Sequence, residues 1–106
     1  MNILQFKNNI TGECVRGFEY TGFDAIRDVE MFSHLRAHDI YQIDPKNTNA
    51  VTCVVSVPIN DSGCCTPVVL VPGTYFIKTD GGELQAIPPQ LFKGRYTEIK
   101  TEEEMI

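Results

Sequence analysis

The sequence has few basic residues, no long hydrophobic segment and no amino-terminal signal pattern. Its nine Lys and Arg residues are outnumbered by 14 Asp and Glu residues, which gives a net charge of −5 at pH 7. Binding to a phosphate backbone requires clustered Lys and Arg, so direct nucleic-acid binding is not expected. No apolar run reaches the roughly 18 residues of a transmembrane helix, and a secretory signal is missing. We therefore expect a soluble protein that is neither exported nor bound to a membrane.

Metal-binding and disulfide motifs are also missing. The four cysteines are Cys14, Cys53, Cys64 and Cys65. None belongs to a CxxC motif, whereas zinc sites usually space their ligands by about two to four residues. Thiols stay reduced in a protein that is not exported, and the adjacent Cys64 and Cys65 cannot readily pair with each other. The sequence therefore predicts no disulfide and no metal site, with Cys53 as a small core residue.

No catalytic or cofactor motif is recognisable. His34 and His38 would lie one turn apart near the end of a predicted helix, where they could share a metal. The HExxH motif is absent, however, and a pair that complements the helix dipole is the favoured interpretation. A histidine from that helix end is conceivable beside Cys64 or Cys65, but no local signature of nucleophile and base supports it. We expect no cofactor and no enzymatic activity.

The length and composition predict one globular domain over residues 1–106. The chain is 42% hydrophobic and 22% charged, as in ordinary globular proteins. A domain of this size buries roughly two-thirds of its unfolded surface, enough for a core without disulfides. Residues 101–106 form an acidic tail, for which a solvated segment is favoured over mimicry of DNA.

The amino-terminal two-thirds predict four strands and one long helix. Strands are expected at residues 2–6, at an edge, and at 13–20, 50–59 and 66–71, the last in a covered or central position. A short extended piece follows the helix at 39–44. The helix spans residues 24–38, because apolar residues recur there at three- and four-residue spacing. These apolar residues are Ala25, Ile26, Val29, Phe32 and Leu35.

The carboxy-terminal third predicts a hairpin, a helical turn and a closing strand. A turn at Asp80 and Gly81 would place Lys78 opposite Glu83, an attractive pair, whereas the other register opposes two acids. This register puts Tyr75, Ile77, Leu84 and Ala86 on one face, the expected core face. Pro89 suits the start of a helical turn at 90–93, and residues 96–99 return as a strand.

The predicted fold is α+β. A mainly antiparallel bent sheet or small barrel of five to six strands would carry one amphipathic helix packed on it, with a short helix turn near the carboxy terminus.

Three short motifs stand out in the carboxy-terminal third: Gly73-Thr74-Tyr75-Phe76-Ile77-Lys78, Gly82-Glu83 and Pro89-x-Leu91-Phe92-x-x-x-Tyr96. Together they resemble the carboxy-terminal signature of a family of small, largely uncharacterised tailed-phage and prophage accessory proteins. The family signature reads Gly-Asp-Trp-Ile-Ile-Lys, Gly-Glu and Pro-Asp-Ile-Phe-x-x-x-Tyr. The segment at 16–22 and the helix after it are also similar, so the resemblance spans residues 14–99. Thr74, Tyr75 and Gly94 depart from the pattern. The resemblance implies a phage origin, and hence the cytoplasm of an infected host bacterium, but supplies no active site.

Binding is the class of function that remains. We expect a non-enzymatic phage accessory protein that binds a host bacterial protein and inhibits or redirects it, in an anti-defence or host-takeover role. The candidate contact residues are Lys78, Asp80, Glu83, Tyr75 and Tyr96. For the two tyrosines, a place in the core is the favoured interpretation. The alternatives are a virion decoration subunit, in which an edge strand could pair copies into a homo-oligomer, and a sponge for a small nucleotide signal.

Overall fold

The computed structural model describes residues 3–59 and 63–99, which form eight strands and two α-helices. The predicted acidic tail at 101–106 lies outside the described residues. The strands are β1 Leu4–Asn8, β2 Cys14–Glu19, β3 Ala37–Gln42, β4 Val51–Ile59, β5 Cys64–Leu70, β6 Tyr75–Lys78, β7 Leu84–Ile87 and β8 Tyr96–Glu98. The helices are α1 Ile26–Ser33, preceded by a 3-10 turn at Phe23–Ala25, and α2 Pro89–Arg95.

The strands are arranged in two antiparallel sheets. The larger has the order β7-β6-β2-β1-β8, and the smaller has the order β3-β4-β5. Both sheets stay open, without barrel closure among the described strands. The predicted α+β class is therefore confirmed, with one five-stranded sheet and a separate three-stranded sheet.

The larger sheet is buried on both faces. One face packs against α1 and the smaller sheet, around Phe18, Phe32 and Phe76. The other face packs against α2, around Phe6 and Phe92. Adjacent residues of β6, Phe76 and Ile77, are both fully buried because successive side chains point to opposite faces.

The predicted hairpin exists, but its predicted register is wrong by one residue. Lys78 pairs with Leu84, and the Thr79 amide donates to the Glu83 carbonyl at 2.9 Å, so residues 80–82 form the turn. Gly82 has a φ of 84°, which a longer turn with a left-handed third residue requires. The proposed pairing of Lys78 with Glu83 therefore does not form. The prediction of a single core face for the hairpin is also wrong, because each face of the larger sheet packs against a core of its own.

The predicted helix stops five residues early. Its apolar stripe is confirmed, since Val29 and Phe32 are buried, but α1 ends at Ser33. His34 then adopts a left-handed conformation with a φ of 58°, and its amide donates to the Glu30 carbonyl at 2.9 Å. His38 lies on β3 instead of the helix, so the predicted pair of histidines one turn apart does not form.

Two strand positions also differ from the prediction. β5 is an edge strand of the smaller sheet, and the central strand is β4, whose predicted span of 50–59 is confirmed to within one residue. Pro67 lies within β5. Because β5 is an edge strand, proline's lack of an amide donor need not break a hydrogen bond between strands. β1, predicted at an edge, lies between β2 and β8.

Tyr20 makes a buried hydrogen bond that links the two sheets. Its hydroxyl donates to the Val51 carbonyl at 2.6 Å, and the side chain is fully buried. Burial raises the pKa of Tyr20 above its ordinary value of about 10 and also raises the pKa of the nearby Cys53 thiol. Neither group ionises readily in the folded state.

Tyr20→Phe should destabilise the protein by about 1–2 kcal/mol, because the buried Val51 carbonyl loses its donor. The raised pKa of Tyr20 contributes stability that is present below its unfolded pKa and is lost as the pH rises through the folded one. Urea unfolding should therefore show the wild type losing stability above about pH 10, at up to about 1.4 kcal/mol per pH unit for this proton. The Tyr20→Phe variant should lose less stability over that pH range. Equal losses in the two proteins would contradict the assignment of this pH dependence to Tyr20.

Candidate functional site

A shallow cleft of about 550 Å³ lies between two neighbouring turns of the larger sheet. Its lining residues come from the β1–β2 turn, the β6–β7 hairpin and the start of β8. They are Asn8, Thr11, Glu13, Thr79, Asp80, Gly81, Glu83, Gln85 and Tyr96. The two turns meet because β2 pairs with β6, which brings the beginning of β2 beside the end of β6.

Side-chain hydrogen bonds shape both turns. The Asn8 carboxamide oxygen accepts from the Ile10 amide at 2.9 Å, and the Thr11 hydroxyl accepts from the Glu13 amide at 3.2 Å. On the hairpin, the Thr79 hydroxyl accepts from the Glu83 amide at 3.1 Å. Such local bonds to the backbone hold turns in one conformation, so the positions of Glu13 and Glu83 are defined.

The cleft is acidic. Glu13, Asp80 and Glu83 contribute exposed carboxylates, and the described lining includes neither Lys nor Arg. No group of three or more His, Cys, Asp or Glu side chains that could hold a metal ion occurs in the part of the chain that is described. The three carboxylates therefore give this end of the larger sheet a local negative charge.

Three of the five predicted contact residues line this cleft: Asp80, Glu83 and Tyr96. Lys78 points elsewhere. Its ammonium group donates to the Phe32 carbonyl at 3.1 Å and lies 5.2 Å from the centre of the Phe32 ring. The cation therefore interacts with the carboxy-terminal end of α1, where it offsets the negative end of the helix dipole.

Tyr75 and Tyr96, the two tyrosines among the predicted contact residues, both stack on the ring of Phe92. The ring centroid of Phe92 lies 4.0 Å from that of Tyr75 and 4.7 Å from that of Tyr96, with nearly parallel planes. Burial raises the pKa of Tyr75. The favoured interpretation, that these aromatics fill a core, agrees with this packing, although Tyr96 also forms one wall of the cleft.

Glu13 is the acidic lining residue of the cleft that sequence reasoning missed. The prediction assigned it to a strand, and it lies immediately before β2, which begins at Cys14. No local pattern links residue 13 to residues 80–83, because their proximity depends on the pairing of β2 with β6.

A second group of polar side chains lies on the outer face of the smaller sheet. His38 Nε2 is 2.7 Å from Ser56 Oγ, and His38 Nδ1 is 3.0 Å from Asp39 Oδ2. The pairing register shifts between His38 and Tyr41, and Asp39 has a φ of 50°. This irregularity turns the Asp39 carboxylate towards the ring of its neighbour. Sequence reasoning missed this group, since the predicted helix included His38.

None of the described helices is long and apolar enough to cross a membrane. A comparison with models of known protein families gives no match. No curated protein and no solved structure matches the chain either. The resemblance to phage accessory proteins, drawn from the three short motifs, therefore stays a prediction.

Proposed function

We propose that this is a phage accessory protein that binds a bacterial host protein in the cytoplasm of the infected cell and inhibits or redirects it. The acidic cleft is the proposed contact surface, and a Lys- or Arg-containing segment of the host protein is its proposed occupant. The observation that carries this proposal is the grouping of Glu13, Asp80 and Glu83 around one cleft whose described lining contains no Lys or Arg.

Charge complementarity supports a basic protein segment as the occupant. Each carboxylate lies on an exposed turn, where a cationic side chain can approach without a large desolvation cost. The Tyr96 ring, half-buried at the wall, offers an aromatic surface on which a guanidinium group can stack. The same charge disfavours the alternative of a nucleotide sponge, because a phosphate group would lie near three carboxylates and near no Lys or Arg among the described lining residues.

Neutralising the hairpin should weaken binding. Asp80→Asn with Glu83→Gln removes two negative charges from the cleft while preserving side-chain size. We expect the dissociation constant for the host protein to rise about tenfold, equivalent to about 1.4 kcal/mol. The salt dependence of the association rate should also decrease, as is typical of charges at the rim of an interface.

The control is Glu19→Gln with Asp28→Asn, which changes the net charge equally but lies beside a different depression next to α1. Tagged forms of all three proteins would be used for pull-downs from phage-infected cells, followed by native mass spectrometry of the complexes. The recovered host protein would then be titrated against each variant at two salt concentrations. Equal affinity of both double variants for the host protein would contradict the cleft as the contact surface. Recovery of the chain only with purified virions would contradict the proposed role as a binder of a host protein.

A further inference from the structure

We propose that Ser56 is an activated nucleophile that accepts an acyl group from an ester, with His38 as its general base. Asp39 is the positioning residue for His38. The proposal goes beyond the binding role, since these residues lie on the smaller sheet and the acidic cleft lies on the larger one. It depends on the distances of 2.7 Å from Ser56 Oγ to His38 Nε2 and 3.0 Å from His38 Nδ1 to Asp39 Oδ2.

The two contacts determine which nitrogen of a neutral His38 carries the proton. An ionised Asp39 carboxylate can only accept a hydrogen bond, so Nδ1 must donate to it. Nε2 is then the unprotonated nitrogen and accepts from the Ser56 hydroxyl. This is the protonation pattern with which a histidine removes a proton from serine, because the base faces the nucleophile and the carboxylate stabilises the resulting imidazolium.

The group is accessible and is supported by regular structure. The side chain of His38 is 44% exposed, and that of Asp39 is 73% exposed. Ser56 is half-buried on β4, the central strand of the smaller sheet, and pairs with Pro67 on the neighbouring strand. His38 comes from the adjacent strand β3, so pairing between the two strands fixes the distance from base to nucleophile. An ester can therefore reach Ser56 from solvent.

The proposed step conserves atoms and charge. Ser56 Oγ forms a bond to the acyl carbon while its proton moves to His38 Nε2, and the bond from the acyl carbon to the alkoxy or aryloxy oxygen then breaks. His38 returns the proton to the leaving oxygen, which gives an alcohol and acyl-Ser56. Attack by water, again with His38 as base, releases the carboxylic acid and restores Ser56. An ester of a phenol is the favoured class because its good leaving group lowers the demand for stabilisation of the oxyanion.

The test uses p-nitrophenyl acetate with the full chain, following both nitrophenolate release and the site of acetylation by peptide mass mapping. We expect an acetyl group on Ser56 and release above that of a buffer blank. Ser56→Ala should abolish the acetyl-Ser56 peptide and lower nitrophenolate release to the level that comes from other side chains, such as the exposed thiols Cys14 and Cys65. His38→Asn should slow acetylation about 100-fold, within the usual contribution of a general base. His34→Asn is the matched control, since His34 is exposed at the end of α1, and it should react like the wild type.

Asp39→Asn separates a positioning role from a merely structural one. Asparagine tolerates the left-handed backbone at this position, where φ is 50°, so the fold should be retained. Its amide can donate to Nδ1, which would move the ring proton to Nε2 and leave Ser56 without a base. We expect acetylation to slow at least tenfold, with a change of tautomer seen in the imidazole nitrogen NMR signals of His38.

Several outcomes would overturn the proposal. These are an absence of acetyl-Ser56 in the wild type, equal rates of Ser56 acetylation in His38→Asn and His34→Asn, or release by Ser56→Ala that equals release by the wild type. If circular dichroism shows that His38→Asn does not fold, the rate of Ser56 acetylation in Asp39→Asn is compared with that of the wild type instead. Equal rates in these two proteins would overturn the proposal. These outcomes are independent of host-protein binding, because the Asp80 and Glu83 variants should acetylate normally.

Discussion

Gly17→Ala should destabilise the protein by at least about 3 kcal/mol, at the upper end of the cost of overpacking a core. Gly17 lies on β2 and pairs with Ile77 on β6. A Cβ atom at this position would overlap the Phe76 carbonyl oxygen and lie 2.8 Å from Ile77 Cα, and both are backbone atoms of β6, a strand that is paired on both sides. Relief would require the two strands to separate, because no flexible side chain can move instead. Urea unfolding followed by circular dichroism measures the loss.

Gly94→Ala is the matched control. Gly94 lies within α2, and no heavy atom lies within 4 Å of a Cβ built there. Alanine favours a helix over glycine by about 1 kcal/mol, so this change should leave stability equal or higher. Similar losses in both variants would show that the close approach of β2 and β6 is not the cause.

Phe76→Ala should cost about 3–5 kcal/mol, the usual range for removal of a buried phenylalanine. Phe76 is fully buried, and its ring makes edge-on contacts with Phe18 and Phe32, with centroid distances of 6.1 and 5.5 Å. The side chain therefore joins β2 and α1 on one face of the larger sheet. Since domains of this size have total stabilities of about 5–15 kcal/mol, the variant should melt far below the wild type or be largely unfolded.

Phe23→Ala is the control for the removal of an aromatic ring. Phe23 is 64% exposed at the 3-10 turn before α1, so its truncation removes little buried area. We expect a change of about 0.5 kcal/mol or less, as for surface substitutions in general. A thermal melt and a urea titration of both variants give the comparison. A loss for Phe76→Ala no larger than that for Phe23→Ala would contradict the central position of Phe76 in the core.

Local patterns in the sequence predicted several elements correctly. The alternation of Val51, Cys53 and Val55 identified β4, and the apolar spacing of Val29 and Phe32 identified α1. Turn residues placed Asp80 and Glu83 at an exposed hairpin tip. These features depend on residues within a few positions of one another, and the intrinsic preferences of such short segments are visible in the sequence.

The hairpin register shows where local reasoning failed. The attraction between Lys78 and Glu83 favoured a two-residue turn, but a surface ion pair contributes little. Burial of Phe76 and Ile77 on opposite faces involves far larger free energies, and Lys78 interacts with the end of α1 instead. The free energy of burial therefore decided the register, and that burial depends on a helix far away in the chain.

By itself, the sequence determined the α+β class, the main strand and helix segments, the turn positions and the acidic character of the chain. Only the tertiary structure decided the order of the strands, the two cores and both candidate sites. Glu13 lines the same cleft as Glu83 because β2 pairs with β6, and His38 lies beside Ser56 because β3 pairs with β4. The physical reason is that contacts between distant segments are selected by the total burial and hydrogen bonding of the whole chain, which no short stretch of sequence contains.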